Sequence, residues 1–225
     1  MIRAVLFDMD GTVIDSVSIY NRGWIYAAEK AGFSGEEIIP LTDRFSGMNG
    51  ADLVRFLQER FGEDYPAREI LDGRDRFVSE EIKERGVPPK PGVPEVFERL
   101  SGMGIRSALV TGSRRSRVEL ILSVTGLGTY FESVVTGDDV QKSKPAPDCF
   151  LYAAKSLGLT AAECAVAEDA PGGVRAGYAA GMPVAMIPDF CPFTDDLAPM
   201  VRWHLTSLAE LPDAIAAANA AEARQ

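Results

Sequence analysis

Asp8 and Asp10 stand two apart at the end of the short apolar run Ala4-Val5-Leu6-Phe7, and Gly11-Thr12 directly behind them lets the chain turn sharply. Two carboxylates, or one carboxylate and a carbonyl, at that spacing can face one hard cation such as Mg²⁺, which prefers oxygen ligands. Glu168-Asp169, after a later apolar run, supplies further oxygens. Thr111-Gly112-Ser113 offers a hydroxyl and backbone N–H groups at the start of a helix, a seat for phosphate oxygens. Lys144, within Lys142-Ser143-Lys144-Pro145-Ala146-Pro147-Asp148, adds a fixed positive charge. A cation, a lysine, phosphate-binding amides and a carboxylate are the parts that phosphoryl transfer requires.

Taken singly, each feature has a plain structural reading. Asp-Gly-Thr after a strand is a common turn, Thr111-Gly112-Ser113 and Glu168-Asp169 read equally as helix caps, and Lys144 as a solvated loop lysine. Those readings do not explain why all of them follow successive apolar runs.

The runs are Ala4 to Phe7, Ser107 to Val110, Ser133 to Val135, Cys164 to Ala167 and Pro183 to Ile187, each followed by a segment of helical periodicity. This pattern predicts βα units around a parallel sheet, an α/β Rossmann-like three-layer core. Ligands of such sheets bind beyond the carboxyl ends of the strands, where Asp8, Thr111 and Asp169 should converge. Between the first two runs lies a long stretch rich in helix formers, including Asn21 to Ala31, Ala51 to Phe61 and Glu69 to Arg85. It exceeds what one crossover needs, which predicts an inserted helical cap domain over 16–87 and a core of 1–15 and 88–225. Val87-Pro88-Pro89-Lys90-Pro91-Gly92 stops the helix and marks the return to the core. The Ala-rich segment Ala214 to Ala223 is expected as a last helix.

The 225 residues carry a formal charge of −10, which argues against general affinity for nucleic acid or anionic membranes and for a small substrate. Cys149, Cys164 and Cys191 are odd in number and lack metal-site spacing, as expected of free thiols in a reducing compartment. The opening run is too short and too soon acidic for a signal peptide, so a cytoplasmic protein is expected. Oligomeric state is not legible.

The motifs together resemble those of the haloacid dehalogenase-like hydrolases, in the subfamily with a helical cap after the first motif, which includes phosphoglycolate phosphatases and β-phosphoglucomutases. Asp8-Met9-Asp10-Gly11-Thr12 is similar to the first motif, Thr111-Gly112-Ser113 to the second, Ser143-Lys144-Pro145 to the third and Glu168-Asp169-Ala170-Pro171-Gly172-Gly173-Val174 to the fourth. The resemblance implies that Asp8 attacks phosphorus to form an aspartyl-phosphate. It implies that Asp10 protonates the leaving oxygen and then activates water. It further implies Mg²⁺ on Asp8, the Asp10 carbonyl, Asp169 and, variably within the subfamily, Glu168. Thr111, Gly112, Ser113 and Lys144 would hold the phosphate oxygens. Arg114 is the arginine expected at the substrate, with Arg44 and Arg115 also placed to reach it, although exposed arginines on helix faces are more often solvated. Members that displace halide from carbon typically lack an acid at position 10, so Asp10 points to phosphorus chemistry.

The cap loop Arg44-Phe45-Ser46-Gly47-Met48-Asn49-Gly50 is expected to select the substrate. Mutases of the resembling family carry a lysine, an arginine and a histidine where this chain has Ser46, Gly50 and Tyr20, which favours hydrolysis of a small phosphorylated metabolite over mutase transfer. Carbon–phosphorus cleavage would need a cap lysine near Asp15, and the next lysine is Lys30. His204, the single histidine, is expected to be structural. A phospho-acceptor signalling module is the remote alternative, but it would be far shorter and lack the Asp8-x-Asp10 pair.

Overall fold

The computed structural model describes residues 1–45 and 50–224. Six strands, β1 (Ala4–Phe7), β2 (Arg106–Val110), β3 (Ser133–Val135), β4 (Cys164–Glu168), β5 (Val184–Met186) and β6 (Trp203–His204), form one sheet in the order β3-β2-β1-β4-β5-β6. Every pairing is parallel. β1 is apolar at every position because both faces are covered. Its alternate side chains serve opposite layers: Val5 and Phe7 point to one cluster, Ala4 and Leu6 to the other.

Helices α1 (Val17–Lys30), α2 (Gly50–Phe61) and α3 (Ala67–Arg85) follow β1. The remainder are α4 (Val93–Gly102), α5 (Arg115–Thr125), α6 (Asp148–Ser156), α7 (Pro171–Ala179) and α8 (Leu211–Glu222). On one face of the sheet, Val96, Phe97 and Leu100 of α4 pack with Val118 and Ile121 of α5 and Ile215 of α8. On the other, Phe150 and Ala153 of α6 pack with Val174 and Ala176 of α7. The result is the expected three-layer α/β core.

Helices α1 to α3 bury a cluster of their own around Trp24, Leu53, Leu57, Ile70 and Leu71. Ile19 of α1 and Val78 and Ile82 of α3 instead join the sheet-layer cluster, seating the helical insertion on the core. The two connecting segments run side by side, with Asp15 N–H donating to Pro88 O at 2.9 Å and Lys90 N–H to Val13 O at 2.9 Å.

Element boundaries differ modestly from the sequence reading. α1 starts at Val17, ahead of Asn21, and α8 at Leu211, where Pro212 fits the first turn. β6 was not legible as a strand, since two residues carry no periodicity. His204 lies in it, stacked on Phe193 with ring centroids 4.1 Å apart, which supports the structural reading.

Candidate active site

The strand order places β1 between β2 and β4, so Asp8 emerges flanked by Thr111 on one side and Glu168-Asp169 on the other. Connections leave in opposite directions around this point, which opens a crevice at the carboxyl ends. Lys144 reaches in from the segment after β3. Its Nζ donates to Asp8 Oδ1 at 2.6 Å, to Glu168 Oε1 at 2.7 Å and to Val110 O at 3.0 Å, using all three donors. Glu168 Oε2 accepts from the N–H groups of Asp169 and Ala170 at 3.1 and 3.2 Å. Asp169 Oδ1 accepts from Thr12 Oγ1 at 3.3 Å. Asp8, Glu168 and Asp169 each turn one carboxylate oxygen to a common point, all three within 4.8 Å of one another.

Two glycines make room for these carboxylates. A Cβ on Gly11, whose φ is +83°, would run into the Asp169 carboxylate, and one on Gly173 would overlap that of Glu168. Gly11 and Gly173 thus leave the space that the Asp169 and Glu168 carboxylates occupy.

Asp10 faces a different set of partners. Its Oδ1 accepts from Ser16 Oγ at 2.5 Å and Arg117 Nη2 at 2.6 Å, and its Oδ2 from Ser113 Oγ and Arg117 Nη1, both at 3.2 Å. Ser16 spends its hydroxyl on Asp10 and leaves α1 without a side-chain cap. Thr111 is buried, and its Oγ1 accepts from Ser113 N–H at 3.1 Å. Gly112 is exposed next to it.

Arg114 is exposed and precedes α5, Arg115 pairs with Asp139 at 2.6 Å, and Arg44 lies over the Phe56 ring at 4.8 Å. Ser46 and its neighbours to Asn49 lie outside the described residues, and Gly50 opens α2. Arg117 and Ser16 at Asp10 were not anticipated. Arg117 lies in the first turn of α5, where an arginine reads as an ordinary solvated helix residue, so no local signal marked it.

Known proteins agree with this architecture. The family model described as haloacid dehalogenase-like hydrolase matches residues 2–181. The chain belongs to the haloacid dehalogenase-like hydrolase family. Hexitol phosphatase A of Escherichia coli K12 is 30% identical over 185 residues, 82% of each chain. Protein CbbY of Rhodobacter capsulatus is 30% identical over 218 residues, covering 92% of this chain and 94% of the relative. A hydrolase of this family from Deinococcus radiodurans R1, solved with bound phosphate and sodium, superposes with a TM-score of 0.76 at 29% identity, covering 97% of this chain and 96% of that one.

In this haloacid dehalogenase-like hydrolase, burial pushes the Asp8 carboxyl up to about 7; Glu168 and Asp10 push the same way, against the opposing charge of Lys144. Burial also drives Asp169 well above the usual carboxylate range, reinforced by Glu168, Asp8 and Asp189. Lys144 is held above the ordinary lysine range: burial opposes its charge, but Asp8 and Glu168 outweigh it. Lys144 thus bonds two of these three buried carboxylates, Asp8 and Glu168, and a divalent oxygen-loving cation is the group that the three-carboxylate donor set fits. Asp10 differs. Burial would raise it, yet the Arg117 charge, with bonds from Ser16, Arg117 and Ser113, holds it below the usual range.

Proposed function

We propose that this chain is a Mg²⁺-dependent phosphatase that hydrolyses a small phosphorylated metabolite, a sugar phosphate or a phosphoglycolate-like ester, through an aspartyl-phosphate on Asp8. The observation that carries this reading is the convergence of Asp8, Glu168 and Asp169 at the sheet's carboxyl edge, with Lys144 bonded to Asp8 and Glu168. The names of the phosphatase relatives add support.

An Asp8 oxygen attacks phosphorus as the bond to the leaving oxygen breaks, and Asp10 gives that oxygen its proton. A water then attacks the acyl phosphate, Asp10 takes its proton, and inorganic phosphate leaves Asp8. Lys144, Thr111 and the backbone of Gly112 and Ser113 hold the phosphoryl oxygens, where preorganised charge contributes most. Asp8, Glu168, Asp169 and the Asp10 carbonyl are the groups that would hold Mg²⁺, which supplies positive charge beside an anionic nucleophile meeting an anionic substrate. The helices of 16–87 act as a cap that excludes water and selects the leaving group. The buried thiols of Cys149 and Cys164 accord with a cytoplasmic setting, and no helix among the described residues is long and apolar enough to cross a membrane.

Hydrolysis of p-nitrophenyl phosphate tests the mechanism. Phosphate release should require Mg²⁺, stop with chelator and vanish in Asp8→Asn; full activity in that variant would sink it. A panel of phosphorylated metabolites, with glucose 1,6-bisphosphate included to reveal mutase turnover, then ranks substrates.

A further inference from the structure

Arg117 grips Asp10 through both Nη atoms, at 2.6 and 3.2 Å, and Ser113 Oγ at 2.6 Å. Its guanidinium lies over the ring of Tyr20 in α1 at 4.6 Å, and Arg74 of α3 meets the same ring at 5.3 Å. The two arginines differ in their partners: Arg74 pairs with its neighbour Asp75, whereas the carboxylate on Arg117 belongs to Asp10. The buried Arg117 Nε has no acceptor among the described residues.

The proposed chemistry requires the Asp10 carboxyl to serve the leaving oxygen. As it turns from Arg117 to that oxygen, the guanidinium loses its bonded carboxylate and keeps only the more distant charge of Asp75, and an arginine does not relieve this by losing a proton. The pair is partly buried, with 19% and 26% of the two side chains exposed, and breaking it from one side is unfavourable unless another anion replaces the lost partner. The leaving group is the part of the substrate that faces Asp10, so it is the part placed to bring that anion.

We propose that Arg117 is a specificity-determining residue that takes an anionic group, a carboxylate or a second phosphate, carried on the leaving group of the substrate. The incoming anion exchanges for Asp10 on the guanidinium and releases Asp10 to the ester oxygen. The planar fork suits either oxyanion in bidentate fashion, and Nε is a further donor for it. Esters with neutral leaving groups leave the Arg117–Asp10 pair closed and turn over slowly. This inference rests on the phosphatase reading given above.

The test is kcat/KM for matched pairs, phosphoglycolate against ethyl phosphate and fructose 1,6-bisphosphate against fructose 1-phosphate, in the wild-type protein, Arg117→Ala and Arg117→Lys. The wild type should favour the dianionic-type member of at least one pair by about 100-fold, the scale expected for a buried charged contact. Arg117→Ala should reduce that preference to less than about tenfold, and Arg117→Lys should retain part of it. Each ratio is measured on one preparation and is independent of how much of a variant folds. No preference in either pair for the wild type, or an equal loss on both members in Arg117→Ala, overturns the inference. p-Nitrophenyl phosphate separates the two levels: full hydrolysis by Asp8→Asn sinks the phosphatase reading and this one with it. Loss in Asp8→Asn alongside a flat ratio sinks only the role of Arg117.

Discussion

Lys144 and Asp8 form a buried ion pair at 2.6 Å, with 10% and 12% of their side chains exposed. The same ammonium is bonded to Glu168 at 2.7 Å. Replacing it with a neutral side chain of similar length removes the positive charge that both carboxylates share. Lys144→Met should therefore lose about 3–5 kcal/mol of stability at pH 7, as expected when one partner of a buried pair is deleted. The loss should shrink at pH 5, where Asp8 takes up a proton. Urea unfolding at both pH values measures this, and an equal loss at both would be against it.

The raised carboxyl of Asp8 has a defined stability sign. Its value rises from an ordinary 3.8 to about 7 on folding, so the folded state binds the proton more tightly than the unfolded chain. Stability from this group is complete below about pH 4 and is lost as pH rises to about 7, an upper limit of about 4 kcal/mol. Asp169 acts in the same direction. In chelator, the difference in melting temperature between wild type and Asp8→Asn should change steadily across pH 5 to 8. A flat difference would contradict the assignment.

Removing the nucleophile should help the fold while ending the chemistry. Asp8→Asn deletes one of three buried carboxylates yet keeps an oxygen for Lys144. At pH 8 without metal it should melt higher than the wild type, by about 2–4 °C per kcal/mol gained for a chain of this size. Its response to added Mg²⁺ should be smaller. Saturating metal should stabilise the wild type by about 2.7 kcal/mol at 100 times the dissociation constant. Differential scanning calorimetry with and without Mg²⁺ decides between these outcomes.

Gly173→Ala should disable the site through Glu168. A Cβ there overlaps the Glu168 carboxylate, so the side chain must shift and loosen its hold on Lys144. A stability cost of about 1–3 kcal/mol is expected, with a larger fractional loss of phosphate release. Gly102→Ala is the comparison: nothing lies within 4 Å of its Cβ, and alanine suits the helix. That variant should be neutral or gain up to about 1 kcal/mol. Equal losses in both would count against the positioning of Lys144 by Glu168.

Much of the fold was legible because its signals are local. Ala4 to Phe7 and Ser133 to Val135 are strands over the expected residues, and β2 and β4 differ from expectation by one residue at one end. Short apolar runs punctuated by polar residues define buried parallel strands by composition alone. The helical insertion was legible from its length and from the proline-rich segment that ends it. The two-residue β6 was not, because it exists only through pairing with β5.

Sequence alone determined which residues stand at the strand ends, and so that Asp8, Thr111, Glu168 and Asp169 meet at one edge of a parallel sheet. It also identified Lys144 as the charge beside them. Only the tertiary structure decided how those groups divide. Glu168 joins Asp8 on one ammonium, while Asp10, two residues along, turns to Ser16, Ser113 and Arg117. It decided, too, that Arg117 bonds the Asp10 carboxylate. Strand ends follow from a local alternation of side chains, but the direction of an arginine depends on where its helix begins. Its carboxylate partner lies 107 residues away in the chain, a distance that no local pattern spans.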